Sequence, residues 1–160
     1  GGSGNTPLPN PGNNPPPPDQ PNDPTVMVEN GLCVIGSIAT ALQVKFGYSA
    51  ATAISKATEA LQAAGVVTTP VNGGISVPEG KMAETLTSLG FVVSNITYTA
   101  TAIKSHFDNG GFGIGHFYGP PAAHDVFLTN HLGSTSFTYW DPVKGHYSSG
   151  SPDEIILFFK

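Results

Sequence analysis

Apolar residues recur in this chain only beyond residue 24. Val34, Ile35, Ile38, Ala41, Leu42 and Phe46 keep the helical period, after the turn signal Asn30-Gly31-Leu32 and before a stop at Gly47. This spacing predicts a first helix whose opening turn holds Cys33. A second helix is predicted from an N-cap at Ser49 to about Ala64, with Ile54, Ala57 and Leu61 on one face. Residues 65–78 are turn-rich and read as a long loop. Met82, Leu86 and Leu89 then predict a third helix over residues 79–89. Beyond Gly90 the pattern changes. Phe91–Tyr98 reads as a strand, 101–108 as a short helix, and Phe112–Tyr118 as a strand broken by Gly119-Pro120-Pro121. His124–Thr129 and Ser136–Trp140 read as a hairpin, and 146–148 and 155–159 as short final strands. Helices first and an antiparallel sheet second predict an α+β fold.

Composition divides the chain further. Residues 1–24 hold almost nothing apolar and too little surface to offset their ordering entropy, so they read as a Pro/Gly-rich disordered linker. Residues 25–160 suffice for one compact domain, expected to be a monomer. The formal net charge is −5, with six Lys and no Arg. That balance excludes a nucleic-acid surface and a bidentate arginine clamp. No apolar run is long enough to span a membrane, and the N-terminus has no signal-peptide pattern. A linker at the start suggests the C-terminal module of a larger protein, secreted or delivered into a target cell.

The single cysteine is either a small buried hydrophobe or a reactive thiol. Its place at a helix N-terminus favours the second reading, because unpaired amides and the helix dipole favour a thiolate there. Those amides can also form half of an oxyanion hole. A nucleophile needs a histidine oriented by a third group. With the hairpin turn centred between Leu132 and Gly133, His124 faces Asp141, with Cβ atoms roughly 4.5–5.5 Å apart. Asp125, the next residue on the strand, points to the opposite face and reads as a solvated charge. Cys33, His124 and Asp141 are therefore the candidate catalytic triad.

A Cys opening the first long helix, a helix-then-sheet order, and a His before a hairpin ending in Asp-Pro-x-x-Gly resemble the papain-like cysteine peptidases. Within that class the chain resembles the C39-like branch, also through the segment IKSHFDNGGFGIGHF. The resemblance covers nearly all of residues 28–160. It implies Cys33 as nucleophile, His124 as general base and acid, and Asp141 as the orienting residue, acting on a protein substrate through a thioester. Two positions depart from the pattern. Met27 stands where a Gln usually completes the oxyanion hole, leaving Asn30 as the nearest upstream amide, and Val34 follows Cys33 where the branch often has Gly. A Cys-His-Asp module behind a Pro-rich linker also resembles the C-terminal toxin domains of bacterial polymorphic effectors of the type VI and Rhs kind. That resemblance implies a cognate immunity protein as partner. A papain-like glutamine deamidase or transglutaminase, a leader- or cargo-processing peptidase, and an inactive binding module remain open beside it.

The other histidines give no HExxH and no CxxC, so no metal or other cofactor is implied. His106 reads as a helix-surface residue, His131 as part of the hairpin loop, and His116 as a sheet residue near the cleft. Trp140 reads as core. The loop 65–78 is a candidate wall of the substrate cleft.

Overall fold

The computed structural model describes residues 23–119 and 122–160. The linker expected over 1–24 lies outside these residues apart from Asp23 and Pro24, as do Pro120 and Pro121 of the expected strand break.

Among the described residues, four helices and a six-stranded antiparallel sheet form an α+β fold. Helix α1 spans Cys33–Phe46 and closes on Gly47, whose N–H donates to Gln43 O. Helix α2 spans Ala50–Ala63, and the Ser49 hydroxyl accepts from Thr52 N. Helix α3 spans Lys81–Ser88 and α4 spans Ala100–Asp108, the latter capped by the Thr99 hydroxyl. The strands are β1 (Val92–Val93), β2 (Phe112–Phe117), β3 (His124–Gly133), β4 (Ser136–Asp141), β5 (His146–Gly150) and β6 (Glu154–Phe159), in the order β1-β6-β2-β3-β4-β5.

Strand alternation sorts the core onto both faces of the sheet. Phe112, Ile114, Phe127, Trp140 and Phe158 pack with Val34, Ile35, Ile38 and Leu42 of α1, which α2 backs through Ala53, Ala57 and Leu61. Val126, Leu128, Phe137 and Leu157 pack on the other face under Ile103 and Phe107 of α4.

Two elements differ from their sequence reading. The strand expected over 91–98 pairs for only two residues, Val92 with Phe159 and Val93 with Phe158, plus one bond from Ser94 N to Leu157 O. The chain then leaves the sheet edge, because Ile96 packs into the cluster beneath α4 and Thr99 caps that helix. The β3–β4 hairpin turns at Ser134 and Thr135, two residues later than expected. Two irregularities follow, each setting an extra β3 residue against β4, between Leu128 and Asn130 and between His131 and Gly133. The ladder away from the turn pairs Phe127 with Trp140 and Leu128 with Tyr139.

The segment 23–28 straps the front of the molecule. Thr25 N donates to Gln43 Oε1 (2.6 Å), and Gln43 Nε2 donates to Thr25 Oγ1 (2.7 Å). Trp140 Nε1 donates to Val26 O (2.9 Å), and Val28 N donates to Pro142 O (2.9 Å). Pro24 and Val26 are buried beneath these bonds, so packing begins just before Thr25. The strap thus joins α1 to the end of β4. Gly36 completes the joint, since a Cβ there would lie 2.6 Å from Pro142 Cβ and 2.8 Å from Val28 Cγ2.

Candidate active site

Cys33 is the first residue of α1 and is 6% exposed. The residue before it, Leu32, has no side chain able to cap the helix, and the first intrahelical bond runs from Gly36 N to Leu32 O. The N–H groups of Cys33, Val34 and Ile35 therefore precede the ladder and have no carbonyl partner within it. The chain enters through a turn closed by Leu32 N to Glu29 O, with Gly31 at φ 95. Asn30 lies exposed in that turn, and Met27 is exposed as well. On one side the turn abuts the loop 65–78, where a Cβ on Gly31 would meet Gly73 O at 3.4 Å and Pro70 at 3.5 Å.

His124 opens β3 and Asp141 ends β4. The observed register sets Val126, not His124, opposite Asp141 when continued by one pair beyond Phe127 and Trp140. The directly facing pair expected from the sequence is thus corrected to a diagonal one. The shift is by an even number of residues, so both side chains keep a common face. His124 Nε2–H donates to Asp141 Oδ2 at 2.9 Å. Asp141 is 4% exposed, and its Oδ1 accepts from Val143 N (3.0 Å) and Lys144 N (3.1 Å) in the turn opened by Pro142. The carboxylate is pinned from two sides, and the imidazole keeps Nδ1 as its free nitrogen.

The sulfur of Cys33 meets Asp125 rather than His124. Asp125 N–H donates to Cys33 Sγ at 3.3 Å, and the thiol faces Asp125 Oδ2 at 4.0 Å. No hydrogen bond joins Cys33 to His124. Asp125 is 7% exposed, which corrects its reading as a solvated charge. Alternation does turn Asp125 away from its neighbour Val126, but the face it points to is covered by α1 rather than by water. Asp125 Oδ1 accepts from Nδ1 of His116 (2.9 Å), the residue directly opposite it on β2. The sequence carried a signal for this pair: Ile114-x-His116 and Asp125-x-Phe127 share the parity of core residues on the α1 side.

Burial, followed by the Asp125 charge, pushes the Cys33 thiol up to about 11, against the pull of the Asp125, Val34 and Cys33 N–H groups. The thiol is therefore protonated at neutral pH, contrary to the thiolate expected from the helix terminus. The hydrogen bond that His116 donates to Asp125, followed by the Asp125, Glu154 and Asp153 charges, raises the His116 pKa against its burial.

The remaining histidines lie elsewhere. His106 is 3% exposed rather than on the helix surface, because its ring packs against Phe159 and its Nε2–H donates to Phe112 O (2.9 Å). His131 is a buried β3 residue, not a loop residue, since the turn forms later. His146 is exposed at the start of β5. Trp140 is core, as expected. Among the described residues no three of His, Cys, Asp and Glu converge to hold a metal ion, and no helix is long and apolar enough to cross a membrane. No protein-family model matches the chain, and no curated protein matches it in sequence.

Proposed function

We propose that the chain is a papain-like cysteine hydrolase that cleaves a peptide or isopeptide bond of a protein substrate through a thioester. One observation carries this reading. His124, bonded to a pinned carboxylate through Nε2 and free at Nδ1, immediately precedes the residue whose N–H touches the only sulfur nucleophile in the chain. Cys33 attacks the carbonyl carbon, and the uncapped amides at the start of α1 receive the oxyanion. His124 takes the thiol proton at Nδ1 and returns it to the leaving amine. Water then adds to the thioester and releases the acyl group. Alternation sets His124 on the face of Phe117 and Val126, across β3 from Asp125 and Cys33, so the step requires the start of β3 to rotate and bring Nδ1 onto the thiol as substrate binds. Delivery into a competing cell, with an immunity protein in the producer, is part of the same proposal and rests on the resemblance alone.

The test is mass spectrometry of a proteome treated with the protein and with Cys33→Ala. New termini that vanish with Cys33→Ala support hydrolysis, and His124→Ala is expected to lower their rate by about 10²–10⁴-fold. A mass gain of about one dalton on Gln, without new termini, would assign the same thioester chemistry to a side-chain amide. Undiminished cleavage by Cys33→Ala sinks the proposal.

A further inference from the structure

The reaction assigned above uses His124 and Asp141 and leaves unexplained the second histidine–carboxylate pair, which lies nearer the sulfur. We propose that His116 and Asp125 form a charge-compensating pair that sets how readily Cys33 gives up its proton, with His116 as a positioning residue for the nucleophile. The inference rests on Cys33 being the reactive group.

The geometry has three parts. Asp125 touches the sulfur twice, through an N–H that favours a thiolate and a carboxylate that opposes it. The other carboxylate oxygen is held by His116 Nδ1. The His116 side chain is 34% exposed, so its ring exchanges protons with solvent while Asp125 and Cys33 stay buried. With His116 protonated, the pair is neutral overall and the thiol faces little net charge. Once His116 loses its proton, Asp125 presents an uncompensated negative charge to the sulfur, and the thiol holds its proton more tightly. Other charges act on the switch itself. Glu154 pairs directly opposite His116 on β6, and Asp153 N–H bonds His116 O. Tyr118, its ring 5.7 Å from that of His116, binds Glu154 through its hydroxyl. Both acids hold the proton on His116 toward higher pH. On the α1 side Cys33 faces only backbone N–H groups besides Asp125, and the His124–Asp141 pair begins one residue from Asp125.

Because the chain has one cysteine, iodoacetamide reads Cys33 alone. The thiolate displaces iodide from the reagent's methylene carbon, forming the S–C bond as the C–I bond breaks. Its rate across pH reports the thiolate fraction without any hydrolysis. Asp125→Asn keeps the N–H and removes the charge. It is expected to move the profile to lower pH, with labelling near neutrality about tenfold faster for every pH unit the profile moves. His116→Gln is expected to do the reverse, slowing labelling several-fold and moving the profile to higher pH. In the His116→Gln/Asp125→Asn double variant, the effect of His116 is expected to disappear. A His116→Gln profile that superimposes on the parent, or an undiminished His116 effect without Asp125, overturns the pair while leaving the nucleophile in place. Failure of the parent to label at any pH overturns both the pair and the nucleophile.

Discussion

Asp141 carries three hydrogen bonds on one carboxylate, and each has a separate consequence. Two hold the turn that begins at Pro142, and the third fixes the proton of His124 on Nε2. Asp141→Asn separates these duties. The Asn oxygen can still accept from Val143 N and Lys144 N, so the turn survives. The Asn amide then donates toward Nε2, which moves the ring proton to Nδ1 and removes the acceptor for the thiol. Turnover is expected to fall by orders of magnitude while the thermal midpoint moves little; a large loss of both would show that Asp141 is chiefly structural. At this scale the sequence was informative about the His124–Asp141 pair because parity survives an even error in register. It was not informative about Asp125. Alternation gave its direction correctly, but no residue in the hairpin itself shows that a helix from the start of the chain covers that face.

The element that places the nucleophile is α1, and its seat depends on Gly36. That residue lies one helical turn after Cys33 and directly against Pro142, so the helix and the Asp141 turn approach as closely as backbone allows. Gly36→Val is expected to force the two apart. Overpacking of this kind typically destabilises by about 1–3 kcal/mol. Urea unfolding reads the loss, and a separate fall in activity of the remaining folded protein reads the displaced turn. Gly36→Ala is expected to lie between, since its gain in helix propensity offsets part of the clash. An unchanged urea midpoint in Gly36→Val would refute the close seat. Helices were the most legible elements, because the cap at Ser49 and the stop at Gly47 are written in the sequence. Hairpin irregularities were not, because an extra β3 residue leaves no mark in a local hydrophobic pattern. Strand β1 is shorter than its local pattern predicts because Ile96 belongs to a cluster formed by distant elements.

Across the whole molecule, His106 ties α4 to β2 and β6, with Nδ1 lacking any hydrogen-bond partner. Burial, aided by the Lys45 charge, lowers its pKa below the ordinary 6.5, while the nearby backbone of Phe112 and Phe158 partly opposes this. The unfolded chain therefore takes up the proton before the folded one does. Stability from this residue is fully present above 6.5 and is lost as pH falls toward the folded value. His116, whose pKa is raised, acts in the opposite sense and loses its contribution as pH rises through its folded value. The comparison is thus between the parent and His106→Gln. Urea midpoints measured from about pH 7.5 to about 5.5 are expected to fall more steeply in the parent. Equal slopes would remove His106 from the account.

The strap over residues 23–28 also has a mechanical side. A pull on the chain ahead of Asp23 first loads the Thr25–Gln43 bonds, then the bond from Trp140 to Val26, then the one from Val28 to Pro142. Only past these anchors does tension reach Cys33. The last anchor is the residue next to Asp141, so strain arrives at the orienting carboxylate before it arrives at Cys33. The strap thereby links tension on the chain ahead of Asp23 to the turn that holds Asp141.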